Sequence, residues 1–505
     1  MNRPTFNVLT EPWIPVIRLD GKRENLGILP CLGQAHEIRE IRDPSPIIEF
    51  GLYRLLVAFV LDALVMANKR PEDPIDLNEL IAAGKFDCDL LGRYANDCGE
   101  VFDLFHPDRP FMQSGEASGE EKSVFDPYPL LPTGANVTHF AHGDQDQHGL
   151  SNDEAARLLV AISPFNVKVK TGSPRTIVGD PPLYSLPIGH SLFESVVLNL
   201  PMPSNQFTDQ DERNIGPIWR TPLCAEPIRT TPTQSFTWPC RFVRLVPSDE
   251  RIQQMHNVKG LKSLRTWVDP SCAVFFGDDK VQHYRLKERL PLWVDAGLLG
   301  VMGKGTYRDS GNWKFVRPEV VSTALETLKA PICVIRYYGW RTDQAKVFEW
   351  QRSVLHIPVK LALNVRLAAV LVEELGKANS GSGALQDGLR ALHPRGTKDK
   401  KHTREAKDKK DALGCTTSRC ERMFWLRLER EFGPLMSRFA ALPENAPDYP
   451  SMIQSARNPW REAIRKIAEE QFESAAKDMD ADSDALERHV RARAMLTKDL
   501  RKILE

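Results

Sequence analysis

The sequence predicts an α+β fold: a large mixed α/β N-terminal domain with β-hairpins, followed by a C-terminal four-helix bundle. Three observations carry that expectation. Two apolar β-type runs, Ile332–Tyr338 and Ala345–Trp350, flank a short polar segment, Gly339–Gln344, in the manner of a β-hairpin. Asp20-Gly21 marks a second hairpin turn inside the alternating stretch 6–30. Past Pro358 the apolar period lengthens to that of a helix, and amphipathic stripes recur to the end. The expected domains are therefore 1–357 and 358–505, and at 505 residues each has room for its own core.

In chain order, FNVLTEPWIPV (Phe6–Val16) reads as a strand with Trp13 and Ile14 in the core. Asp43, Ser45 and Pro46 offer a helix start, and the apolar run to about Ala67 reads as a buried helix. Glu49, Arg54 and Asp62 inside it argue against a membrane span. FHPDRPFMQ (Phe105–Gln113) is an ordered turn, because two prolines restrict it, with Phe111 and Met112 as core plugs. Further expectations are a helix from about Asp153 to Ile162, a buried segment at Ser191–Leu200 and a strand at Trp238–Leu245. A strand pair within Cys272–Trp293 turns at Gly277–Asp279. The bundle stripes begin with Leu363, Leu367, Val370 and Leu371, then Trp425, Leu428, Phe432, Leu435 and Phe439. Trp460, Ile464, Ile467 and Ala468 form the third; Leu486, Val490 and Ala494, continued by Leu500 and Leu504, form the fourth.

Composition narrows the function classes. With 67 basic and 67 acidic residues, nucleic-acid contact would have to come from local patches rather than from net charge. Nine cysteines are scattered without a C-x-x-C pair, which gives neither a zinc ribbon nor a disulfide scaffold and fits a reducing cytoplasm. The N-terminus lacks the apolar core of a signal peptide. No G-x-S-x-G, H-E-x-x-H or dinucleotide fingerprint is present. GLLGVMGKGT (Gly297–Thr306) fails as a phosphate-binding loop on glycine spacing and on Gly305, which stands where a Ser or Thr is needed. No enzyme activity and no cofactor are expected.

The candidate binding groups are of three kinds. The hairpin tip offers Trp340, Arg341, Thr342, Asp343 and Gln344, a ring, a cation and short polar groups suited to entering a groove and parting a base step. On the residues alone, the commoner outcome is a hairpin whose Trp packs on a neighbour. Lys168, Lys170 and Arg175 with Thr171, Gly172 and Ser173 form a basic loop of small residues that phosphates can approach, or a solvated turn. Pro394–Asp411, with eight basic and four acidic side chains, reads as a loop; Lys398, Lys400, Lys401 and Arg404 would be its phosphate contacts. The cluster of His139, His142, Asp144, Asp146 and His148 invites a metal reading, but a polar loop accounts for it better.

The run Y-G-W-R-T-D-Q-A-K-V-F-E-W followed by L-H-I-P resembles the signature hairpin of the large subunit (CasA) of type I-E CRISPR Cascade. The opening FN-x-L-x-EPWIPV and the HP-x-x-PFMQ stretch resemble the same family, in the expected order. The resemblance implies a non-catalytic subunit that inspects duplex DNA for a protospacer-adjacent motif (PAM), wedges the duplex open with the hairpin and helps hold the R-loop. It implies minor-groove contacts from Asn136, from Thr171 and Gly172, and from Lys262 in preference to Lys259. Most of the glycines that the family carries near Thr171 are missing here. Implied partners are PAM-bearing double-stranded DNA, the crRNA-bound Cascade subunits and the Cas helicase–nuclease, with no membrane. The alternatives are a metal-dependent nuclease using the His139–His148 loop and a scaffold without DNA contact.

Overall fold

The computed structural model describes residues 4–124, 149–166, 175–286, 314–343, 346–392, 404–443, 448–477 and 483–505, together with 294 and apart from 205, 224, 226, 228, 249–250, 265 and 278–279. By contact the chain separates into two compact units, whose later boundary falls between Leu355 and His356.

In the first unit β1 (Ile14–Arg18) turns at Gly21, where φ is +89°, into β2 (Arg23–Leu26). Glycine alone adopts that backbone without strain. After α1 (Ile28–Gly33), β3 (Ile38–Ile41) completes the sheet, in the order β2-β1-β3. Trp13 and Ile14 are fully buried as expected. The strand, however, starts at Ile14 and not at Phe6. Pro12 offers no amide hydrogen, and Asn7–Glu11 close into a turn in which Asn7 accepts from Thr10 and Glu11.

The helix α2 (Pro46–Met66) begins after Ser45 and is buried on all sides. Such a helix can keep charged groups only if each is paired. Arg54 pairs with Asp269 at 2.6 Å. Asp62 accepts from Arg220 at 2.8 Å and from the Tyr94 hydroxyl at 2.6 Å. α3 (Pro74–Ala82) and α4 (Cys88–Cys98) are capped by Asp73 and Asp87. In the 105–113 turn Phe111 is buried, while Met112 is only half-buried, with φ at +55°.

Next come β4 (Glu121–Ser123), α5 (Asn152–Phe165), β5 (Tyr184–Ile188), α6 (Leu192–Leu198), α7 (Asp209–Asn214) and α8 (Pro232–Phe236). β6 (Arg241–Leu245) and β7 (Gln254–Lys259) join β4 in the order β4-β7-β6. β8 (Val274–Gly277), β9 (Lys280–His283) and β10 (Lys314–Val316) form a sheet ordered β10-β8-β9, which matches the expected strand pair. After α9 (Glu319–Thr327), β11 (Ile332–Asp343) and β12 (Lys346–Pro358) join β5 in the order β12-β11-β5.

The second unit contains α10 (Val359–Leu363), α11 (Val365–Leu392), α12 (Arg404–Ala440), α13 (Tyr449–Ala476) and α14 (Ser483–Leu504). α11 packs on α12, α13 and α14. The stripes on α12 and α13 face inward as expected. Leu367 and Leu371 are buried too, but Leu363 is exposed at the end of α10 and Val370 is half-buried. On α14 the reading needs correction. Leu486 is 65 % exposed and Val490 59 %, and the buried face is Ala485, Ala492, Leu496, Leu500 and Leu504. Stepping back from Leu504 in fours and threes reaches Ala492 and Ala485. Joining Leu486, Val490 and Ala494 to Leu500 crosses from one face to another.

Candidate nucleic-acid interface

The candidate site is built on the hairpin of β11 and β12. β5 pairs with β11 from Val334 to Tyr338, in the register Val334↔Ile188 to Tyr338↔Tyr184. β11 then runs on to Asp343, so Arg341, Thr342 and Asp343 belong to the strand and not to a loop. From Arg336 to Asp343 the strand covers about 23 Å at ordinary strand rise. Gln344, expected at the tip, lies outside the described residues.

Trp340 is not at a tip. It is 5 % exposed, belongs to the first unit's core and meets Phe165 edge-on, with ring centroids 5.4 Å apart. Strand alternation explains why. Arg336, Tyr338 and Trp340 share one face of β11, and that face lies on α2 and α5, where Tyr338 meets Phe50 at 5.3 Å. Gly339 does not open a turn either. A Cβ there would stand 2.9 Å from Leu286 Cδ1 and 3.0 Å from Leu183 Cδ1, so this glycine serves close packing.

The root of the hairpin is held by a buried charge cluster. Glu49 of α2, with no exposed surface, accepts from Arg336 Nη1 at 2.8 Å, Arg352 Nη1 at 2.6 Å and the Tyr338 hydroxyl at 2.6 Å. Arg336 also pairs with Glu40 of β3. Burial alone would lower the Arg336 guanidinium, but Tyr338, Tyr53 and Glu49 around it hold it above its ordinary value. Burial, with Glu49 alongside, raises the Tyr338 hydroxyl well above the usual phenol range. This cluster escapes a reading by apolar pattern. The available signal was an arginine inside the apolar run ICVIRYY and a glutamate inside an apolar helix, two residues that need each other once buried.

Among the basic candidates, Lys259 ends β7 exposed and Lys262 follows exposed in the next loop. That loop is tied to the turn after Arg175. The Ser263 hydroxyl donates to Thr176 O at 2.7 Å and the Leu264 amide to Ile177 O at 2.8 Å. The structure therefore brings the segment carrying Lys262 against the end of the basic stretch. Arg175 itself is matched by Asp180 at 2.6 Å, which it shares with Arg285 at 2.8 Å. Asn136, His139–His148, Lys168, Lys170, Thr171, Gly172, Lys398, Lys400, Lys401 and the 297–306 stretch lie outside the described residues, and Arg404 is described only as the first residue of α12. Among the described residues there is no group of three or more His, Cys, Asp or Glu able to hold a metal ion, and no helix is long and apolar enough to cross a membrane.

Comparison with known proteins extends this picture. The family described as CRISPR-associated protein Cse1 matches residues 7–471. A CRISPR-associated protein CasA/Cse1 of Thermus thermophilus is 28% identical over 99% of this chain and 97% of its own. The crystal structure of Cse1 from Acidimicrobium ferrooxidans has the same fold, with a TM-score of 0.77 at 19% identity, over 100% of this chain and 99% of that one. A chain of a CRISPR RNA-guided surveillance complex superposes with a TM-score of 0.68 at 20% identity, over 98% of this chain and 100% of that one.

Proposed function

The chain belongs to the CRISPR-associated Cse1 (CasA) family, the large subunit of the type I-E Cascade surveillance complex, and from that premise we propose that it recognises the PAM in duplex DNA and starts strand separation. It does so without catalysis, as part of a guide-bound assembly in which base pairing supplies sequence specificity. The first domain, 1–357, recognises the PAM; 358–505 is a four-helix bundle whose charged segment 394–411 adds phosphate contacts. The arm formed by β11 and β12 carries Arg341, Thr342, Asp343 and Gln344 to the duplex, and Gln344 enters beside the PAM. Trp340 has no part in that contact. Lys262, with Lys259, Asn136, Thr171 and Gly172, meets the minor groove, where a lysine reads A·T and T·A pairs alike. Lys168, Lys170, Arg175, Lys398, Lys400, Lys401 and Arg404 meet phosphates and set the salt dependence. Once the R-loop has formed, the protein stabilises it and helps recruit the Cas helicase–nuclease.

What supports the reading most directly is that β11 continues past its β5 pairing while its root is locked into the core. Opening one step costs a few kcal/mol, and guide pairing roughly balances the duplex it replaces, so the tip need only help nucleate. In the guide-bound assembly, Gln344→Ala should slow R-loop initiation while duplex binding is largely kept, as measured by stopped-flow opening alongside gel shifts with PAM and non-PAM duplexes. Equal losses in both assays would sink the wedge.

A further inference from the structure

We propose that Glu49 is a positioning residue for the β11–β12 arm: by taking one arginine from each strand, it fixes the direction in which the arm leaves the sheet. This rests on the reading of the arm's far end as the group that parts the duplex. The geometry is a three-point hold. Arg336 and Tyr338 reach Glu49 from β11, and Arg352 reaches it from β12. The carboxylate sits on a helix buried on all sides, so the anchor cannot shift.

Such a hold matters because of what the sheet lacks. β5 steadies β11 as far as Tyr338 and packing on Phe165 holds it at Trp340, but neither contact is made by β12, and a two-stranded ribbon twists readily and is marginal by itself. A hairpin attached through one strand can swing about that strand. Salt links from both strands to one fixed point remove that freedom. Past Trp340, the last residue of β11 packed in the core, the strand runs on about 10 Å to Asp343, and a rotation at the root is carried out to that end. Ordinary stability does not call for this device, since an apolar residue in place of a buried ion pair is often neutral or better. Arg352 is also 23 % exposed, so the core can close without it.

The test compares Arg352→Gln, which frees β12 alone, with Glu49→Gln, which removes the charge that holds both strands and leaves Arg336 paired with Glu40. Hydrogen exchange is read on peptides covering 339–350 and on α2. Strand opening is read in the guide-bound assembly with a fluorescent base analogue beside the PAM. In Arg352→Gln, arm exchange should rise about tenfold, the factor set by one lost charge-assisted hydrogen bond, with α2 unchanged. Opening should slow by about the same factor, duplex binding should stay within about twofold, and Arg352→Lys should recover part of the loss. If Glu49→Gln fails to fold, the Arg352 pair still decides. Unchanged arm exchange overturns the proposal. So does raised exchange with wild-type opening, in an assay where Gln344→Ala slows opening. If Gln344→Ala itself leaves opening untouched, the duplex-parting role fails, and arm exchange alone still tells whether Glu49 holds the arm.

Discussion

Glu49 in the first unit and Glu374 in the second are both fully buried, and each is gripped by arginines, yet their partners are arranged differently. Glu374 of α11 receives both its oxygens' bonds from Arg461 of α13, whose Nε lies at 2.9 Å and 3.1 Å, with Arg457 one turn earlier at 3.7 Å. Trp460 of the same helix donates its indole N–H to the Glu374 carbonyl at 3.1 Å, and Arg461 also donates to the Leu504 carbonyl at 2.9 Å. Glu49 instead gathers donors from two strands that continue beyond it. The same chemistry thus closes a helical core in one place and fixes a projecting arm in the other. What a buried carboxylate controls depends on whether its partners end at the core or lead out of it.

Perturbing the closed site should give the largest loss of stability with the least consequence for DNA. Glu374→Ala leaves Arg461 buried with only Glu373 at 3.8 Å and the Leu504 carbonyl as partners, which should cost about 3 kcal/mol in chemical denaturation. Strand opening per folded molecule should stay at the wild-type rate. A slowed opening at temperatures where the variant is folded would erase the contrast between the two glutamates.

Acid is a milder perturbation, and it acts on the first unit. Burial pushes the His283 imidazole down to about 4, and its Nε2 accepts from the Asp269 amide at 3.3 Å, a bond that protonation would break. The unfolded chain takes up this proton near pH 6.5, whereas the folded one resists it until about 4. Stability from this group is therefore intact above 6.5 and lost as pH falls, by about 1.4 kcal/mol per unit. Glu212 and Glu319, raised to about 7 by burial, act in the opposite direction, because their neutral forms are favoured as pH falls. The diagnostic is the difference between wild type and His283→Gln, which should shrink between pH 7 and pH 4.5. A gap that stays constant would remove His283 from the acid response.

Trp340→Phe should have the smallest effect. The indole Nε1 makes no hydrogen bond among the described residues, so the change removes an unpaired buried donor together with some volume. The expected cost is below about 1.5 kcal/mol, with opening within about twofold of wild type. A larger loss of opening than of stability would return Trp340 to the DNA.

Local pattern served well both where one face was buried and where a long apolar run marked a fully buried helix. α2, the inward stripes of α12 and α13, and the Asp20-Gly21 turn all follow from local pattern. It misled at Gly339-Trp340, because β11 is covered on both faces at that point and the tryptophan's neighbour, Phe165, is remote in sequence. The commoner outcome for such a residue, packing on a neighbour, is the one observed. On α14 two apolar side chains, Leu486 and Val490, are exposed, while Ala485, Ala492 and three leucines on the neighbouring face are the inward ones. Of the candidate interface, the order of segments was readable from sequence. The Glu49 cluster was not, since its members stand about 290 positions apart.

That separation has a consequence for how the molecule is made. Glu49 leaves the ribosome early, whereas Arg336 and Arg352 emerge only after most of the amino-terminal core has been synthesised. Until then the carboxylate lacks both arginines, and burying it with its helix means leaving it unpaired or protonated. A nascent chain stopped short of Ile332 should therefore hold an unfinished core, which the last strand pair of the first unit completes.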